Sequence, residues 1–121
     1  MGYALPASLA EVTGVLERHG ISVSRLERRL DAIVETYTVR SVGQGWKEDK
    51  EFLEVGVTVK REGRGVPPGY AVVWCEGLQS NLIPVLLEPQ SMWGLAALPE
   101  LSSLLEVGSP YPILRIVEVN D

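Results

Sequence analysis

The stretch from Gln79 to Ser91, Gln-Ser-Asn-Leu-Ile-Pro-Val-Leu-Leu-Glu-Pro-Gln-Ser, reads as a capped, apolar helix that ends at Pro89. Ser80 or Asn81 is placed to cap its start. Pro84 then falls at about the third or fourth helical position, where the backbone donor has little or no helical partner to lose. Leu82, Val85 and Leu86, with Leu78 before them, recur at helical spacing and define one apolar face. That face needs a surface to bury it. Most of the other long apolar patterns alternate with period two, so the surface is expected to be a sheet.

Downstream of Pro89, Met92, Trp93, Leu95, Leu98, Leu101, Leu104 and Leu105 are spaced like short helical turns separated by Pro99. Trp93 is expected to plug the end of the core. Gly108 to Pro112 is turn-rich, and Ile113 to Val119 alternates as a closing strand. Upstream, Tyr70 to Cys75 is a continuous apolar run of strand length, the pattern of a strand covered on both faces. Gly63, Gly65, Pro67, Pro68 and Gly69 before it are expected to break regular structure.

Leu53, Val55, Val57 and Val59 alternate with Glu54, Gly56, Thr58 and Lys60, which predicts a half-buried strand. Ala32 to Val42 is rich in β-branched residues, with Ile33, Tyr37 and Val39 on one side of the pleat and Val34, Thr36 and Thr38 on the other. These two strands are expected to form an antiparallel hairpin, joined by the polar connection Gly43 to Lys50. Near the start, Ser8 and Glu11 have the spacing of a capping box. Leu9, Val12 and Leu16 follow on one face, and Gly20 supplies a left-handed stop, so a helix is predicted from Ser8 to His19. Ile21 and Val23 suggest a short strand, and Leu26 to Leu30 a charged turn. The expected fold class is therefore α+β, a largely antiparallel or mixed sheet of about four to five strands with two main helices packed on it.

The chain has 121 residues, enough for one self-sufficient domain spanning 1–121 but not for two cores. A formal charge of −5 argues against a nucleic-acid partner, because phosphate binding needs a basic surface. The basic cluster Arg25, Arg28 and Arg29 is interrupted by Glu27 and Asp31 and reads as a solvated turn. No apolar run reaches the ~18 residues of a membrane span. Met1 to Pro6 has no basic region followed by an apolar core, so no signal peptide is expected on this chain.

One cysteine and one histidine leave no spacing for a zinc site, and no metal or cofactor is expected in this chain. His19, in the last turn of its helix, suits the exposed carbonyls there. Cys75 ends an apolar strand, where a thiol is an inert core group, and it has no cysteine partner for an internal disulfide. No nucleophile elbow is present. Gly43-Gln-Gly45 and Gly63-Arg-Gly65 lack the strand-to-helix setting of a phosphate loop. Glu48, Asp49 and Glu51 offer oxygen ligands of the kind calcium takes, but Lys47 and Lys50 interleave them, the pattern of a solvated turn. Trp74 is expected in the core. Trp46 stands in a polar hairpin tip, where a tryptophan either stacks on a sugar or anchors a partner, or folds back over the sheet edge.

Several segments, in order along nearly the whole chain, carry a resemblance. They are Gly2-Tyr-Ala-Leu-Pro-Ala, Leu16-Glu-Arg-His-Gly-Ile21, Glu35-Thr-Tyr37, Gly69 with Val72-Val73, Gln79, Leu86-Leu-Glu-Pro-Gln-Ser91 and Tyr111-Pro-Ile-Leu-Arg-Ile116. Together they resemble the accessory domain that follows the catalytic domain in bacterial zinc carboxypeptidases of the carboxypeptidase A type. After Ser91 that family tends to carry acidic residues and then a tryptophan, where this chain has Met92, Trp93 and Leu98.

The resemblance implies a non-catalytic domain of a secreted or periplasmic zinc carboxypeptidase, not an enzyme itself. Zinc and the catalytic groups are expected only in the parent's catalytic domain, upstream in the same polypeptide. Packing on that domain, or presenting loops to a peptide substrate or partner, is the implied role. The expected contact surface is Trp46, Lys47, Glu48, Asp49 and Lys50. The rival expectation is a carbohydrate or cell-wall glycan binding module with Trp46 as its stacking platform.

Overall fold

The computed structural model describes residues 1–47, 50–76, 82–87 and 107–119. The elements in chain order are β1 (Gly2–Leu5), α1 (Ala10–Arg18), β2 (Ser24–Arg25), β3 (Leu30–Lys47), β4 (Lys50–Val66), β5 (Ala71–Trp74), α2 (Leu82–Leu87) and β6 (Leu114–Val119). The strands form one six-stranded sheet in the order β2-β5-β1-β6-β3-β4. Every pairing between the described strands is antiparallel.

This corrects the expected architecture of four to five strands under two main helices. The strand missing from that expectation is β1, whose four residues are too few to show a period. Gly2-Tyr-Ala-Leu does not alternate because the strand is buried on both faces. Tyr3 and Leu5 belong to one core cluster and Ala4 to the other. The helix expected around Gln79 to Ser91 is described only over Leu82–Leu87, six residues with Pro84 third. Pro84 is the third residue of α2 and so occupies its first turn as anticipated, where its missing N–H costs no helical hydrogen bond. The capping expected from Ser80 or Asn81, and the helical turns expected from Met92 to Leu105 with Trp93, lie outside the described residues.

The main helix is therefore α1, nine residues long. The capping box of Ser8 and Glu11 is not made. Leu9 takes the cap position with φ −93° and ψ 44° and no side-chain cap hydrogen bond. The chain enters through a turn in which Leu9 N–H donates to Pro6 O, which leaves Ser8 one residue too early. The C-terminus behaves as expected. Gly20 adopts φ +79°, Ile21 N–H donates to Leu16 O, and Gly20 N–H to Glu17 O, a Schellman closure that satisfies both carbonyls. Ile21 and Leu16, both buried in one cluster, supply the apolar contact that accompanies this motif. The short strand foreseen at Ile21 and Val23 forms instead at Ser24–Arg25.

The two faces of the sheet carry separate clusters. One holds Tyr3, Leu5, Tyr37, Val39, Val73 and Ile113 under Val12 and Leu16 of α1 and Ile83 and Leu87 of α2. The other holds Ala4, Ala32, Val34, Val66, Val72, Leu114 and Ile116, closed by Leu26, Leu30, Tyr70 and Trp74. The sheet must roll around this second cluster. In the strand order, β4 and β5 stand four spacings apart, ~19 Å if flat at ~4.8 Å each. Residues 67–70 that join them make a tight turn, with Tyr70 N–H on Pro67 O and Gly69 at φ +90°. Such a link spans ~15 Å at most, a turn of under ~7 Å plus two ~3.8 Å steps. Leu26 clamps the closure by exchanging hydrogen bonds with Tyr70 O and Gly69 N–H. Five of the seven buried residues inside the roll are alanine or valine, with Leu114 and Ile116 the larger two.

Gly63 and Gly65 do not interrupt β4, which pairs through them to Leu30↔Val66 before the prolines end it. Likewise the polar connection expected from Gly43 to Lys50 is mostly strand, paired as far as Lys47↔Lys50. In both places glycine reads locally as a turn former, whereas a long antiparallel partner holds it extended.

Two packing points are open to measurement. A Cβ on Gly2 would lie 2.8 Å from Val73 O and 2.9 Å from Cε3 of Trp74, which covers it. Gly2→Ala is expected to cost about 1–3 kcal/mol, read from urea unfolding followed by tryptophan fluorescence. The Tyr111 hydroxyl donates to Leu87 O at 2.9 Å in a buried position, while its ring meets Tyr37 edge-on at 6.3 Å. Tyr111→Phe keeps the ring and strands the Leu87 carbonyl, an expected loss of about 1–3 kcal/mol in the same assay.

Candidate interaction surface on the β3–β4 ribbon

β3 is flanked on one side by β6 and then by residues 108–111. Tyr37 O accepts from Tyr111 N–H, and Val39 exchanges hydrogen bonds with Gly108 and Ser109. Past Val39, its partner among the described residues is β4 alone. The register changes there. Val39 faces Val57 and Ser41 faces Gly56, so Arg40 is the extra residue of a bulge. A bulge sharpens twist and bends the strand that carries it. Arg40 Nε donates to Thr58 Oγ1 at 2.8 Å and ties the bulge across the ladder.

Beyond the bulge the two strands run on together from Ser41↔Gly56 to Lys47↔Lys50. At ~3.3 Å per residue, the distance from Val39 to Lys47 is ~26 Å. The ribbon places Trp46, paired with Glu51, and Lys47, paired with Lys50, at its end. Of the expected contact residues, Trp46, Lys47 and Lys50 are thus brought together by register. Glu48 and Asp49 lie outside the described residues.

A charged row crosses the sheet nearer its centre. Arg115 of β6, Glu35 of β3 and Arg61 of β4 are register partners. Glu35 receives Arg115 Nη1 at 3.0 Å and Arg61 Nη2 at 3.4 Å. The Glu35 side chain is 15% exposed, against 46% and 61% for the two arginines. One carboxylate therefore holds together three neighbouring strands on a face where the apolar cover has ended. Sequence spacing could not reveal this row, because its members come from distant segments. The one local sign was Arg115 standing outward between Leu114 and Ile116.

The remaining candidates are placed plainly. His19 Nδ1 donates to Val15 O at 2.8 Å on the exposed end of α1. Cys75 is half-buried against the first cluster, and its N–H donates to Met1 O. Arg25, Arg28 and Arg29 are exposed, with Arg29 paired to Asp31 at 3.0 Å. Among the described residues, no three of His, Cys, Asp and Glu are grouped to hold a metal ion. No described helix is long and apolar enough to cross a membrane. No family model, curated protein or solved structure matches the chain.

The Glu35 row is expected to behave as a partly screened pair. A double-mutant cycle on Glu35→Ala and Arg115→Ala should give a coupling of about 0.2–1 kcal/mol that declines as salt is raised.

Proposed function

We propose that this chain is a non-catalytic accessory domain whose work is to hold the end of the β3–β4 ribbon against an attached catalytic domain or that domain's peptide substrate. The observation that carries the reading is the ribbon itself. It leaves the rolled sheet at Arg40 and sets Trp46, Lys47 and Lys50 ~26 Å beyond Val39. Tryptophan is among the residue types that most often anchor a partner. The segments similar to the accessory domain of bacterial zinc carboxypeptidases supply the identity of the attached enzyme, with zinc held there and a secreted or periplasmic location. The rolled sheet acts mechanically in this reading, as a rigid base for a long arm.

An antibody raised against the chain should detect, in extract of the source cells, a band several times larger than 13.3 kDa. In that larger protein, deletion of Lys47 to Lys50 should change peptide-substrate preference or lower thermal stability. A native band at 13.3 kDa refutes the attached-domain reading. Retention on insoluble glycan that is lost in Trp46→Ala would transfer the ribbon's role to carbohydrate binding.

A further inference from the structure

The last strand in the sheet order is β4, and no described strand pairs with its outer side. Which of its residues face outward follows from β3. Tyr37 O and Val39 N–H and C=O are used by residues 108–111. Polar groups of successive strand residues turn to opposite sides, so Thr36 and Thr38 address β4 through their partners Lys60 and Thr58. Thr36 Oγ1 donating to Lys60 O at 3.3 Å agrees with that parity. Residues 59, 61, 63 and 65 therefore direct their N–H and C=O groups away from the sheet. Most of this edge is in solvent, with Glu62 and Gly65 half-buried. Val59 is 48% exposed, Lys60, Arg61, Gly63 and Arg64 are exposed, and a Cβ on Gly63 would meet nothing within 4 Å.

We propose that this edge docks a second copy of the chain, β4 against β4, antiparallel about a twofold axis at Gly63, to form one continuous sheet. Charge selects the register. With the axis at Gly63, Glu62 of each copy stands opposite Arg64 of the second copy, glycine meets glycine at the axis, and Arg61 faces Gly65, over which lies Arg29 with its charge paired to Asp31. An axis at Lys60, Arg61, Glu62 or Arg64 sets like charges opposite one another, and axes at Val59 or Gly65 oppose no unlike pair. Open edges usually carry charge to forbid pairing. Here Glu62-Gly63-Arg64 read backwards is its own electrostatic complement, so the charges that reject a random strand accept a copy. Glycine at the axis leaves the two backbones unobstructed, and Pro67, without an N–H, ends the ladder. The Lys60–Glu62 contact within each chain, at 3.5 Å with Lys60 largely exposed, is weak enough for Glu62 to be shared.

Sedimentation velocity on the purified 121-residue chain tests this, at concentrations from about 10 μM to 1 mM. The mass should climb from 13.3 kDa toward twice that value. Glu62→Arg and Arg64→Glu should each hold the single-chain mass throughout. Their equimolar mixture, and the double variant, should regain wild-type association, because each arrangement restores unlike charges at both positions. Gly63→Pro removes an N–H that β3 does not use and should abolish association with the unfolding midpoint kept. It decides the matter if a charge reversal fails to fold by circular dichroism. A wild type that stays at 13.3 kDa, single reversals that still associate, or a mixture that does not, overturns the proposal.

Discussion

The sheet depends on a four-residue strand at its centre. Gly2–Leu5 is hydrogen-bonded to β5 on one side and β6 on the other. Among the described strands it is also the one buried at every position. Tyr3 and Leu5 support the helical layer, and Ala4 lies inside the roll, so both clusters close on the same few residues. Gly2 sets how near Trp74 comes to the backbone. Without this strand, no ladder among the described residues would join the β2–β5 unit to β6, β3 and β4.

The legible parts of the fold were those with a sustained period. The alternation in Ala32 to Val42 and in Leu53 to Lys60 marked β3 and β4, and the apolar run at Tyr70 to Cys75 marked β5 as a strand covered on both faces. Gly20 marked the end of α1 because a left-handed residue at that place has few substitutes. What stayed hidden was whatever a distant partner decides. Gly2–Leu5 and Ser24–Arg25 are strands because β5 lies beside both. Gly43, Gly45, Gly63 and Gly65 stay extended because a long ladder holds them, against their own preference for turns. Ser8 had the sequence of a cap and lost the position to Leu9, whose apolar side chain packs against the core.

Of the candidate surface, Trp46 and the lysines were visible as residue types, but their setting was not. A polar hairpin tip suggests a loop near the sheet. The register instead carries the pairing to Lys47↔Lys50 and makes the tip the end of a ribbon. The Glu35 row was invisible for a different reason, since its charges meet only after β3, β4 and β6 are assembled. Its position has a physical use. Where the apolar cover of that face gives out, two cations and a shared carboxylate cross-link the strands without exposing a large hydrophobic patch.

The central place of β1 also orders events in time. During synthesis Gly2–Leu5 is made before any strand it pairs with. Ala4 has no neighbour on one side until Val72 is added and none on the other until Leu114 is added. The β3–β4 hairpin joins nearby residues and can assemble early, but among the described strands it is joined to the rest of the sheet through β6. The last described strand to leave the ribosome is therefore the one that unites the two halves. Until then β1 has a ladder on one side alone, to β5, and the two halves of the sheet are not yet joined.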